Sequence, residues 1–232
     1  MVTVKSAHEI ELMRKANQIV RDTLDLVGRE IKAGMTTAQV DKLVYDYITS
    51  CGAKPSFLGY EGYPASACVS INEEVVHGIP SPRRFIEEGD IVSVDVGSIY
   101  KGYNGDAART FMIGQVSEEK KKLVEVTRQS FFEGVKVLKD GCRLGDLGWA
   151  IQSYVESNGF SVVRALVGHG IGTDMHEDPS VPNYGTPGRG MRLKAGMTIA
   201  IEPMVNAGTF DVKVLSDDWT VVTRDGRPSA HY

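Results

Sequence analysis

The chain has 232 residues, 42% of them hydrophobic and 24% charged, with a formal net charge of −4. That balance suits one large or two small soluble domains with a sizeable core, and it argues against nucleic acid or another polyanion as a partner. Three cysteines (Cys51, Cys68, Cys142) without metal-finger spacing argue against structural disulfides; with no apolar leader and no run of 18 apolar residues, a cytoplasmic protein off the membrane is expected.

In chain order, Ser6 with Glu9 three residues on reads as a capping box, opening an amphipathic helix that runs to a stop near Gly34. Thr36 with Gln39 opens a second helix, ending at Gly52. The stretch "GDIVSVDVGSIYKGYNGDAART" follows, with Asp95 inside an apolar run, a glycine-rich turn, and then Asp106. A hairpin centred between Tyr100 and Lys101 is expected to set Asp95 and Asp106 directly opposite each other, two like charges on one face of a sheet. A third helix is predicted from Ser117 to Lys139, stopped by Asp140-Gly141, and a fourth from about Leu144 to Asn158, stopped by Gly159.

These pieces repeat at a fixed offset of 107 positions: Gly34 and Gly141, Tyr47 and Tyr154, Gly52 and Gly159, Gly89 and Gly196. The last pair opens "GDIVSVD" and "GMTIAIE", two apolar strands that end on Asp95 and Glu202, again 107 apart. The expected architecture is two duplicated halves, each laying helices on a shared, largely antiparallel sheet in an α/β (α+β) sandwich. With no linker or low-complexity tract between the halves, residues 1–232 are expected to form a single catalytic domain.

Duplication places Asp95 and Glu202 near a pseudo-twofold axis, and the hairpin adds Asp106. Three carboxylates converging in an apolar sheet need raised pKa values or cations, and one or two divalent metal ions are the economical answer. Among the five histidines, His77 lies in "NEEVVHGIP", His169 sits between glycines in "VGHGIG" and His176 lies in "DMHEDP". His8 and His231 carry no specific signal.

Taken together, "NEEVVHGIP", "GDIVSVDVG" with "GYNGDAART", "GHGIG" followed by "HEDP", "NYG" and "GMTIAIEPM" resemble the type I methionine aminopeptidases in their short bacterial form, over essentially the whole chain. The resemblance implies the pita-bread fold of the creatinase/aminopeptidase group, with the site at its centre. It implies Asp95, Asp106, His169 and Glu202 as ligands of two divalent ions (Co, Mn or Fe(II)), and His77 and His176 with Glu202 as catalytic groups. It also implies a methionine pocket from Phe57, Tyr60, Tyr63, Cys68, Met175 and Trp219, and a substrate whose second residue is small. Expected partners are the N-termini of nascent polypeptides, which could be met at the ribosome, with the chain acting as a monomer. The family continues from "SAHY" into a glutamate, its fifth ligand, whereas this sequence stops at Tyr232. A C-terminally truncated form with impaired activity is therefore expected. The alternatives are a proline-specific relative of the same fold and a same-fold binding protein without catalysis.

Overall fold

The computed structural model describes residues 2–232. Four helices follow the predicted order: α1 (Ala7–Glu30), α2 (Thr37–Ser50), α3 (Glu118–Lys136) and α4 (Leu144–Ser157). The first two open on reciprocal capping boxes: the Ser6 and Thr36 hydroxyls accept from the Glu9 and Gln39 main-chain N–H, and those side chains accept in return from the cap N–H. α1 ends at Glu30, four residues before Gly34, because Ile31 turns to extended backbone while its N–H still bonds Val27 O.

The 107-residue offset is visible in the geometry. Adding it to the bounds of α2, residues 37 and 50, gives 144 and 157, the bounds of α4. Gly34, Gly52 and Gly89 have φ of +89°, +70° and +88°, and their counterparts Gly141, Gly159 and Gly196 have +83°, +86° and +89°. Each pair fills one left-handed stop or turn that a side chain would strain.

In the first half the strands are β1 (Lys54–Pro55), β2 (Ala67–Ile71), β3 (Glu74–Val76), β4 (Ile91–Tyr100) and β5 (Tyr103–Met112). In the second they are β6 (Ser161–Val162), β7 (Gly168–Gly170), β8 (Glu177–Val181), β9 (Met204–Asn206), β10 (Val212–Val214), β11 (Val221–Thr223) and β12 (Ser229–His231). Every ladder is antiparallel, but the sheet is not continuous. β4 is flanked by β1 and β2 on one side and by β5 on the other; β10-β11-β3 and β12-β9-β6 form two three-stranded sheets; and β7 pairs with β8. The β11-β3 ladder joins the halves.

The halves differ where the second apolar strand was expected. "GMTIAIE" makes only a bridge from Ile199 to Gly170, with Ala200 N–H donating to His169 O at 2.7 Å and Ile171 N–H to Thr198 O at 3.2 Å. These bonds lie along one edge, whereas β4 is bonded along both, and regular strand geometry persists only at β9. Each half has its own core. Val20, Leu24, Val40, Val44 and Ile48 pack on Val69, Val92 and Val94, while Leu123, Leu147, Ile151 and Val155 pack on Val162, Val205 and Ala230.

The β4-β5 hairpin corrects the expected register. Tyr100 pairs with Tyr103, so the turn residues are Lys101 and Gly102, with φ of +50° and +85°. Two positive φ angles are what a two-residue type I′ connection requires. Asp95 therefore faces Ala108, and Asp106 faces Gly97. The slip from the expected pairing is two residues, so both aspartates still share one face as diagonal neighbours. Gly105, beside Asp106, lets β5 press on α1: a Cβ there would stand 2.6 Å from Asn17 N and 2.7 Å from Ala16 C.

Candidate metal centre

Between the two cores, ligand atoms of Asp106, His169 and Glu202 lie within 4.8 Å of one another. β5 delivers Asp106, the short β7 delivers His169, and the irregular segment ahead of β9 delivers Glu202. His169 can enter because Gly168 and Gly170 let its strand approach neighbouring backbone: a Cβ on either would sit 2.1–2.3 Å from the Ala200 or Asp178 carbonyl oxygen.

The His169 ring is oriented by its surroundings. Its Nδ1 lies 2.8 Å from Gly170 O, and only an N–H can serve a carbonyl, so in the neutral ring Nε2 is a bare lone pair. Nε2 faces Asp106 Oδ2 at 3.5 Å and Glu202 Oε1 at 3.0 Å. The second contact is close in distance but not in direction, because Glu202 Oε1 has no hydrogen bond of acceptable geometry. A lone pair held between two carboxylates needs a cation among them. Without a metal, that cation is a proton: burial opposes it, but Asp106 and Glu202 raise the His169 pKa to about 10. With a metal, the same arrangement is a carboxylate–imidazole donor set whose other ring nitrogen is tied to a carbonyl, as ligating histidines commonly are. The residues fit a divalent ion.

Asp95 lies outside that close trio but belongs to the cluster electrostatically. Burial, then the charges of Asp106 and Glu202, push it well above the usual carboxylate range. Burial also raises Glu202, with His169 opposing.

A cavity of about 140 Å³ opens onto these groups, lined by Phe57, Tyr60, Tyr63, Cys68, His77, His176 and Trp219 as well as the ligand candidates. Met175 is not on that wall; it packs with Met13 and Ile171 behind Phe57 and Tyr60. His77 and His176 both line the cavity. His77 adopts φ +61°, the left-handed region rare outside glycine, and its ring meets Trp219 edge-on at 6.4 Å. The His176 ring is 4.2 Å from that of His169, and its Nδ1 is 2.7 Å from the Tyr60 hydroxyl. Burial, then the charge of the neighbouring His169, lowers the His176 pKa, and burial, then His176, lowers that of His77.

His231, unremarkable in the sequence, is fully enclosed here, with Nε2 3.9 Å from Glu202 Oε2. Burial lowers its pKa to about 4. No local pattern marks it: it is placed by pairing of β12 with β9, and by Thr110, 121 residues away.

These shifts set the stability of the metal-free chain. His169 has a folded-state pKa raised from the ordinary 6.5 to about 10, so its contribution is present below pH 6.5 and lost as pH rises through 10. Asp95 and Glu202, also raised, act in the same direction, while His77, His176 and His231, all lowered, are neutral throughout that window. Chelated protein is expected to lose several kcal/mol of unfolding free energy between about pH 6.5 and 10. Excess Mn²⁺ should abolish most of that slope. Urea denaturation across the range tests it, and a flat profile for the chelated protein would refute the assignment.

Fold and donor set together define a metallohydrolase. Residues 11–224 match the model of metallopeptidase family M24, and the chain belongs to that family. It is similar to the methionine aminopeptidase of Clostridium acetobutylicum, 58% identical over 232 residues, covering 100% of this chain and 93% of the relative. It is also similar to methionine aminopeptidase 1 of Bacillus subtilis, 50% identical with the same coverage. Among solved structures, methionine aminopeptidase from Thermotoga maritima superposes with a TM-score of 0.98 at 50% identity, over 100% of this chain and 93% of that one. Prolidase from Pyrococcus furiosus, with a TM-score of 0.75 at 24% identity over 98% of this chain and 60% of its own, shares the fold alone. The architecture is the pita-bread fold.

Proposed function

We propose that this chain is a methionine aminopeptidase, hydrolysing the peptide bond after the N-terminal methionine of polypeptides whose second residue is small. The observation that carries the reading is the oriented His169 lone pair facing Asp106 and Glu202 at the floor of an aromatic-walled cavity. Asp106, His169 and Glu202 would hold one divalent ion, and Asp95 with the other two carboxylates would hold a second, from the Mn, Fe(II) or Co group suited to a carboxylate-rich set. When bound, the metal supplies a water of lowered pKa and polarises the scissile carbonyl.

The chain's own residues do the rest. Glu202, raised by burial, takes a proton from the attacking water and returns it to the leaving amine. His176 donates to the carbonyl oxygen as charge develops there. His77 bonds the scissile amide nitrogen, and Asp95 helps hold the free amine that marks a chain terminus. Phe57, Tyr60, Tyr63, Cys68 and Trp219 enclose the methionine side chain, whose sulfur suits aromatic neighbours, with Met175 packed behind them. Residues 1–232 act as a single catalytic unit in the cytoplasm, as a monomer, on chains met as they emerge from the ribosome. The glutamate that the family resemblance places after Tyr232 lies beyond this sequence, so the reading rests on the four ligands within it.

The test is titration of chelated protein with Mn²⁺ or Co²⁺ by calorimetry, with turnover of a Met-Gly-containing tripeptide alongside. Metal-dependent release of methionine is expected, with none from an N-acetylated peptide. Peptide binding without release would instead favour a same-fold binding protein.

A further inference from the structure

Among the described residues, three buried side-chain atoms lack a hydrogen-bond partner: Asn183 Oδ1, Glu202 Oε1 and His231 Nε2. The residues that carry the first and the last of these atoms both approach Glu202. Asn183 Nδ2 donates to the Glu202 main-chain oxygen at 2.7 Å, and His231 Nε2 stands 3.9 Å from Glu202 Oε2. A buried polar atom left unpaired is costly, and native interiors contain few. The buried, unpartnered His231 Nε2 faces Glu202 Oε2, the other oxygen of that carboxylate, across a gap too long for a hydrogen bond but one that a small shift of the carboxylate would close.

The rest of His231 is held firmly. Its N–H donates to Thr110 Oγ1 at 2.9 Å, and its carbonyl accepts from the same hydroxyl at 2.9 Å. Thr110 has then spent its only proton, so Ser93 Oγ, 2.8 Å away and directly across the β4-β5 ladder, must be the donor between the two hydroxyls. His231 itself pairs with Met204, two residues after Glu202. Strands from both halves thus fix the backbone on which the ring is carried, and its Nε2 stands on the Oε2 side of the Glu202 carboxylate.

We propose that His231 is a positioning residue for Glu202, its Nε2–H donating to Oε2 so that the carboxylate presents Oε1 to the metal site. The inference rests on the reading of Glu202 as a ligand, and it deepens that reading by naming what holds the ligand. Loss of an outer partner of a metal ligand typically weakens binding by about 10–100-fold. A glutamine can place a side-chain N–H close to the position of His Nε2–H, whereas leucine fills the volume with no donor.

The experiment is Mn²⁺ titration by calorimetry of the parent, His231→Gln and His231→Leu, each first shown by thermal melting to be folded when chelated. The Leu variant should bind about 10–100-fold more weakly and the Gln variant within a few-fold of the parent. Equal affinity for Leu and parent would make His231 a space-filler and overturn the proposal. Equal loss in Gln and Leu would make its lone pair, not its N–H, the important feature, and would overturn it as well. Should leucine prevent folding, the parent loaded with diamagnetic Zn²⁺ decides through its ¹H–¹⁵N imidazole spectrum: a proton on His231 Nε2 is required, and a bare Nε2 sinks the idea. A parent that binds no ion removes the reading of the site and this inference with it; a parent that binds, matched by its Leu variant, removes this inference alone.

Discussion

Asp106→Asn is expected to lower metal affinity and peptide turnover by more than the ~10–100-fold that an outer partner contributes, with the fold intact. Asp106 is in the close trio, 3.5 Å from His169 Nε2, and of the neighbouring charges it has the largest effect on Asp95. The amide keeps the volume but removes a formal anion, so the ion loses both a donor and part of the field that holds it. In excess Mn²⁺ the variant should also melt below the parent, because it gains less from the ion. Calorimetric titration, turnover and melts in excess Mn²⁺ check these expectations. A variant that binds two equivalents and cleaves like the parent would mean that the β4-β5 carboxylates do not act together.

His176→Ala is expected to leave metal affinity near that of the parent while lowering kcat by roughly 10²–10³-fold, the scale of one oxyanion-stabilising donor. His176 Nδ1 lies 2.7 Å from the Tyr60 hydroxyl; the proposed role requires the tautomer in which that hydroxyl donates, so that the neutral ring keeps its proton on Nε2 and offers it to a substrate carbonyl. Burial and the His169 charge hold the ring neutral near pH 7, so the donor does not depend on an imidazolium. Steady-state kinetics should show the loss in kcat more than in KM. Tyr60→Phe, which leaves the ring but frees its orientation, should fall between parent and His176→Ala. If metal binding disappears together with activity, His176 is a ligand and the division of roles is wrong.

What the sequence disclosed follows from what each residue must do locally. The caps at Ser6 and Thr36 are chemistry within four residues, and the left-handed stops at Gly52 and Gly159 exclude side chains, so both were legible. The register of the hairpin was not, because it depends on which two residues take positive φ, and Lys101 is an unlabelled choice beside several glycines. Parity protected the conclusion: a slip of two keeps the aspartates on one face. His231 was illegible for a different reason. Its burial comes from partners distant in the chain, and a single histidine near Tyr232 has no periodicity to betray it. Likewise, the aromatic run around Tyr60 suggests a pocket wall, but not that its hydroxyl would reach His176, 116 residues on.

The duplicated halves also impose an order in time. All of β4 and β5, with Asp95 and Asp106, is synthesised by residue 112, and α1 and α2 are then available to cover it. His169, Glu202 and His231 come later, the last after 119 further residues, roughly 6–24 s at ribosomal elongation rates. Throughout that interval the first half carries its two aspartates without His169 beside them, and a proton is the cheapest way to keep them folded. On the proposed reading, the nascent chain would be inert until its second half arrives, and the ion would be recruited at the end of assembly, when the last strands bring the remaining donors to it.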